Sequence, residues 1–272
     1  MAVTAIQLLV PGVASAAAAW DMRPDLRMLE PREIRVCAPP LGPLKCPAPP
    51  AYGAGSRWLR FDAIIVNEGK GPFIVRATRP SPNAPRMRTR QVIRRTDGSR
   101  RVVRSDAIEE YATDDSHHHW HVQRVEHYQL YPLGGPLAGE PPVGHKVGFC
   151  FFDGVEWRPK MRGAAPRPVF SFWDCGTSAS QALRVGLSVG WGDIYPWDFG
   201  GQYIDITAVP DGDYLLCLTA DPMGHFLETR DRDNDSWARI TLSSDPASPL
   251  TVTEVGRTSC NGQLGGPRST SA

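Results

Sequence analysis

Three histidines at alternating positions, His117, His119 and His121, are the residues of this chain best suited to chemistry. They lie in the run Asp114-Asp-Ser-His117-His-His119-Trp-His121-Val-Gln-Arg-Val-Glu-His127-Tyr-Gln-Leu-Tyr131, which holds five of the seven histidines. In an extended strand, residues two apart share a face. The three imidazoles therefore project together, with His118 and Trp120 on the other side. Neutral imidazoles on one face are a nitrogen donor set for copper or zinc. Same-face side chains start about 6.8 Å apart, so one ion needs a bent or twisted strand to gather all three. Neither a thiolate pair nor an H-E-x-x-H run accompanies them, which argues against a metalloprotease. A second candidate is Glu228-Thr-Arg-Asp231-Arg-Asp233-Asn234-Asp235, whose hard oxygen donors suit calcium.

Strands rather than long helices must hold these groups. Glycine and proline number 26 each among 272 residues, and no segment keeps a sustained helical period. Runs of β-formers predict strands over 34–37, 58–66, 72–75, 91–95, 101–104, 119–131, 147–152, 169–173, 202–209, 213–220 and 236–242. The Asp97-Gly98 pair predicts a tight hairpin, and Pro210-Asp211-Gly212 predicts another between 202–209 and 213–220. Only 181–189 reads as a short helix. The fold expected is mainly β: an antiparallel β-sandwich-like domain with long loops and little helix.

Residues 1–19, apolar and ending in small residues at A-x-A spacing, read as a signal peptide. The domain then covers 20–258, and 259–272 reads as a flexible tail. A secreted, extracellular location follows, and no later segment approaches membrane-spanning length. Six cysteines without a C-x-x-C pair suggest three disulfides in an exported chain. Cys37 and Cys46 bracket a short proline-rich loop and are the natural first pair. The formal net charge of +1 gives no general argument for a nucleic-acid partner. The basic stretch 86–104 reads as a solvated projecting ribbon.

Several separate blocks of the chain, in order, resemble the catalytic domain of the lysyl oxidase family, as a distant, bacterial-type member. Leu59-Arg-Phe61 with Ile65, Asn67, Gly69 and Phe73 is similar to its early strand pair. His117-x-His119-x-His121 followed by His127-Tyr128-x-Leu130 resembles its copper motif. Gly144-His-Lys146-x-x-Phe-Cys150-x-x-Asp153 resembles the segment with the cofactor lysine. Gly186-Leu-Ser with Gly190, Asp193, Tyr195, Asp198 and 202–207 resembles the segment with the cofactor tyrosine.

This resemblance implies copper(2+) on the three histidines and a self-derived cofactor, lysine tyrosylquinone, made from Lys146 and Tyr195. Such a quinone is an electrophile toward primary amines. The implied activity is a copper-dependent amine oxidase acting on primary amines, extending to lysine side chains of peptides or proteins. Molecular oxygen is the acceptor; aldehyde, ammonia and hydrogen peroxide are the products. His127 and Asp193 are candidates for the proton-abstracting base, with His127 ranked first, and either could instead orient neighbouring groups. The resemblance also implies calcium at Asp25, the Leu26 carbonyl, Glu228, Asp233 and Asn234. Arg230 stands where an acidic ligand is expected, with Asp231 as a substitute. It further implies a Cys150–Cys175 disulfide, which leaves Cys217 with Cys260. Ser116, Trp191 and Gly201 stand where cysteines are found in other members, so animal substrates are not carried over. Two rival readings remain: an exported copper-storage protein of the same fold without a quinone, and a zinc hydrolase using the histidines and a bound water.

Overall fold

The run Trp58–Asn67 is buried along nearly its whole length because four other strands pair with it, leaving neither edge free. It is the hub of the computed structural model, which describes residues 18–38, 46, 55–113, 118–134, 140–144, 148–199 and 201–264. In chain order the strands are β1 (Asp21–Met22), β2 (Leu26–Met28), β3 (Arg32–Cys37), β4 (Trp58–Asn67), β5 (Phe73–Thr78) and β6 (Arg86–Arg95). Then come β7 (Arg100–Ala112), β8 (His119–Gln123), β9 (Glu126–Pro132), β10 (Gly148–Phe149), β11 (Val155–Glu156) and β12 (Ala182–Leu187). The last are β13 (Trp191–Tyr195), β14 (Ile204–Asp205), β15 (Gly212–Ala220), β16 (Asp235–Leu242) and β17 (Leu250–Gly256). Two short 3-10 helices, Phe172–Cys175 and Cys260–Gln263, complete the described elements.

The strands form three sheets, and every pairing between them is antiparallel. The first runs β10-β8-β7-β6-β5-β12 with β1 on β6. The second runs β11-β13-β4-β14 with β2 and β3 on β4, and the third runs β17-β16-β15-β9. One apolar core collects side chains from all three: Phe61 and Ile65 of β4, Val75 of β5, Val122 of β8, Leu130 of β9 and Leu216 of β15. Burying each such side chain contributes about 1.5–3 kcal/mol, which makes this core the main stabilising feature. Asn67 closes the end of β4, its Oδ1 accepting from the Asp25 and Gly69 backbone N–H groups and its Nδ2 donating to the Gly71 and Leu187 carbonyls. A Cβ at Gly69 would lie 2.4 Å from the Pro24 carbonyl carbon, so only glycine fits that crossing.

The mainly β fold and all three disulfides agree with expectation: Cys37–Cys46, Cys150–Cys175 and Cys217–Cys260. The Asp97-Gly98 hairpin also forms between β6 and β7, with Gly98 at φ 83°. Other expectations fail for identifiable reasons. The single strand over 119–131 is two strands in different sheets, broken at Arg124, whose φ is 58°. The helix at 181–189 is β12, paired along its length with β5. The stretch 169–173 makes no strand and leads into the 3-10 helix at Phe172–Cys175. No hairpin joins 202–209 to 213–220, because Ile204–Asp205 pairs with β4 while β15 pairs with β9 and β16. The segment from Ser259, read as a free tail, opens with a 3-10 helix whose Cys260 is disulfide-bonded to β15. Residues 1–17 of the expected 1–19 leader, His117, Lys146 and the tail beyond 264 lie outside the described residues.

Candidate active site

β8 is held between β7 and β10, which places His121 opposite Glu110 and His119 opposite Ala112. Both imidazoles are buried, and their Nε2 atoms lie 2.8 Å apart. Two nitrogens each about 2.0–2.1 Å from one ion, at a right angle, would be about 2.9 Å apart, so this pair fits a shared metal ion. Trp120 packs elsewhere, with Ala77 and Met87, and its indole N–H donates to the Thr177 carbonyl at 2.8 Å. His118 is exposed.

Tyr195 ends β13 and is buried against Phe149, with ring centroids 4.0 Å apart. Its ring lies 6.4 Å from that of His121, so the histidine pair and the selected tyrosine share one site. Phe149 belongs to β10, which leaves the segment 145–147. That segment is bracketed by Gly144, bridged to Ile204, and Gly148, paired with Gln123. A Cβ on Gly144 would lie 2.7 Å from the Tyr128 ring, so the chain beside the candidate lysine passes close enough to demand glycine. The Cys150–Cys175 disulfide ties the end of β10 to the Phe172–Cys175 helix, whose Phe172 ring is 5.0 Å from His119.

Two carboxylates act on Tyr195. Burial first, then the charges of Asp193 and Glu126, hold its pKa well above that of a free phenol, while a hydrogen bond from the Cys150 backbone works against them. Asp193 shares the Tyr195 face of β13 and is buried, with Oδ1 accepting from the Ile194 N–H at 2.8 Å. Glu126 was not anticipated. It is buried on the core face of β9 with Tyr128 and Leu130, and it accepts a hydrogen bond from the Tyr128 hydroxyl. Its place at i, i+2 and i+4 with those apolar residues was the available sequence signal. His127 alternates to the other, half-exposed face of β9, where burial lowers its pKa. The base ranked first from sequence is thus turned away from the face that carries Glu126 and Tyr128.

A family model described as Lysyl oxidase matches residues 75–249, more than half of the chain. The chain belongs to the lysyl oxidase family. It is 35% identical to Lysyl oxidase homolog 2 of Gallus gallus over 109 residues, which are 40% of this chain and 12% of that protein. The human homolog 2 is 33% identical over the same length, again 12% of its own chain. Lysyl oxidase homolog 2B of Danio rerio is 31% identical over 172 residues, 61% of this chain and 16% of the relative. The matched region is thus a small part of each of these relatives.

The residues expected to hold calcium in this family member do come together, except Asp231, which is exposed. Glu228 is buried and accepts from the Leu26 N–H and from Asn234 Nδ2 at 3.3 Å. Both oxygens of Asp25 are taken by Arg230, one by its backbone N–H at 3.0 Å and one by its guanidinium at 2.6 Å. The guanidinium also lies 3.0 Å from Asp233. Of these ligand candidates, only Asp233 Oδ1 and Asn234 Oδ1 are buried without a hydrogen-bond partner among the described residues, whereas calcium takes six to eight oxygens. Among the described residues, the one group of three or more His, Cys, Asp or Glu with ligand atoms within 4.8 Å of one another is Cys217, Asp235 and Cys260, two of which form a disulfide. As they stand, the residues around Arg230 do not fit calcium, because the arginine already supplies the positive charge. Calcium or EGTA should leave the melting temperature unchanged, and Arg230→Ala should cost about 1–3 kcal/mol by removing a charged hydrogen bond. A calcium-dependent rise in melting temperature of the unsubstituted chain would contradict this.

Proposed function

We propose that this chain is a copper-dependent amine oxidase working through lysine tyrosylquinone. A primary amine, oxygen and water would become an aldehyde, ammonia and hydrogen peroxide. The observation that carries this reading is the buried His119–His121 nitrogen pair beside the buried ring of Tyr195. His117, His119 and His121 would hold the copper, and Tyr195 with Lys146 would supply the quinone. Copper and oxygen would provide the oxidising chemistry that turns a phenol into an amine-reactive carbonyl.

The remaining work falls to the chain's own side chains. Phe149 and Phe199 enclose the Tyr195 ring and keep water from it. Asp193, on the same face of β13, is the group we assign to take the proton from the carbon next to the amine. Glu126 keeps the Tyr128 hydroxyl oriented beneath the site. Export is part of the proposal: three disulfides suit an oxidising compartment, and no described helix is long and apolar enough to cross a membrane.

Peroxide release from a small primary amine by copper-loaded protein tests the reading. Asp193→Asn should lower kcat roughly a hundred- to ten-thousand-fold with copper still bound, the usual scale for losing a general base. His127→Gln should change kcat by less than about tenfold. The opposite ranking would move the base to His127. Stoichiometric copper with no peroxide would favour the storage reading, and zinc retention with copper refused would favour the hydrolase.

A further inference from the structure

The basic stretch at 86–104 is not a projecting ribbon. β6 and β7 are interior strands of the first sheet, and their arginines stand in a row across it. Arg184 of β12 is directly opposite Arg76 of β5, Arg76 is opposite Arg90 of β6, and Arg90 is opposite Arg104 of β7. Arg94 and Arg100 form a further pair toward the hairpin. At about 4.8 Å between strands, the row of four spans about 14 Å. All six are exposed.

Like charges directly opposite one another are unfavourable in a sheet. Acidic neighbours do little to relieve them here. Among the described residues, Arg76, Arg90, Arg94, Arg100 and Arg184 make no ion pair, and Arg104 meets Asp106 at 3.9 Å with both side chains more than four-fifths exposed. The pKa of Arg184 is lowered, by burial first and then by Arg94, Arg100 and Arg76, with Asp174 opposing them. Since the whole chain carries a net charge of only +1, the row reflects placement rather than a general excess.

The row and the His119–His121 pair lie on one face of the first sheet. Exposure alternates along β7, so Arg104 and Glu110 share a face, and Glu110 is opposite His121. Six residues separate them, about 20 Å of strand. The segment leading into the 3-10 helix links the two places: Arg184 lies over the Phe170 ring at 4.7 Å, and Phe172 is 5.0 Å from His119. Apolar side chains are exposed on this face too, Val102 at 50% and Ile108 at 38%. A polypeptide can meet mixed charge and apolar surface, whereas a sulfated sugar chain offers only the charge.

We propose that this arginine row docks an acidic polypeptide and thereby presents that partner's lysine side chain to the site beside His121. The inference builds on the oxidase reading by naming a substrate class: lysines in acidic protein segments.

The test uses the full copper-loaded chain. The probe is a fluorescein-labelled glutamate-rich peptide with one lysine, compared with its glutamine counterpart at about 0.15 M salt. Anisotropy should show the acidic peptide binding roughly tenfold more tightly, the scale of a few exposed charge pairs acting together. The combined variant Arg76→Ser, Arg90→Ser, Arg104→Ser should lose that preference and raise KM for the acidic peptide. It should keep its melting temperature and its rate on butylamine. Equal binding of the two peptides, or a preference that survives the substitutions, would overturn the proposal. So would heparin or single-stranded DNA displacing the acidic peptide at lower charge concentration. Because anisotropy needs no turnover, absent oxidation with intact selective binding would count against the oxidase reading alone.

Discussion

Tyr195→Phe should abolish amine oxidation, by at least roughly a thousandfold, while the protein stays folded. The substitution removes one oxygen. The ring contacts with Phe149, Phe199 and His121 do not depend on it. The hydrogen bond from the Cys150 backbone that is lost with it is worth about 1 kcal/mol. The chemical loss is complete, because a quinone cannot be made without the phenol oxygen. Tyr203→Phe is the control. Tyr203 packs on the cluster of Trp58 and the Cys37–Cys46 disulfide, so its hydroxyl should be dispensable for turnover. Peroxide release and a redox-cycling quinone stain on both variants check this. A Tyr195→Phe protein that still stains and turns over would remove Tyr195 from the account.

Glu109→Gln should stabilise the protein increasingly as pH rises. Glu109 is 1% exposed, flanked in register by Met87 and Val122, and neither carboxyl oxygen has a hydrogen-bond partner among the described residues. Burial raises its pKa from 4.5 to about 8. Because the folded pKa lies above the unfolded one, the folded state holds a proton that the unfolded state releases. Below about pH 4.5 both states are protonated and nothing is lost. Stability then falls as pH rises toward 8, and above it the full cost of burying the charge applies, on the order of 3–5 kcal/mol. Glutamine has the same shape and cannot ionise. The melting temperatures of parent and variant should agree near pH 4.5 and diverge by pH 8 to 9, the variant higher. A difference that does not change with pH would refute the assignment.

The candidate histidines stood out because a period of two is unambiguous when three of them occupy it, and His119 and His121 do lie side by side. The strand that carries them was legible only in part. Nothing in Gln123-Arg124-Val125 announces the positive φ at Arg124 that sends β9 into another sheet. That break also sets which side chains of β9 meet the core, so that Glu126 is buried and the adjacent His127 is not. β12 was misread as helix because a short apolar run buried against a neighbour carries no period of its own. No strand was expected over 191–195, yet the pairing of β13 with β4 is what sets Tyr195 against the core. Arg230 was visible as a departure from the family pattern. Its meaning emerged only once its guanidinium was found on Asp25. The arginines of β6 and β7 were visible as a charged stretch, but the cross-strand row needs β5 and β12, which are remote in sequence.

If the proposed function holds, Lys146 and Tyr195 become one covalent group in the presence of copper and oxygen. Peptide mass spectrometry on copper-loaded, aerobically matured protein should then find a linked pair of peptides joined through these two residues at quinone-level oxidation, absent when copper is withheld. Two unlinked, unmodified peptides at full copper occupancy would contradict it.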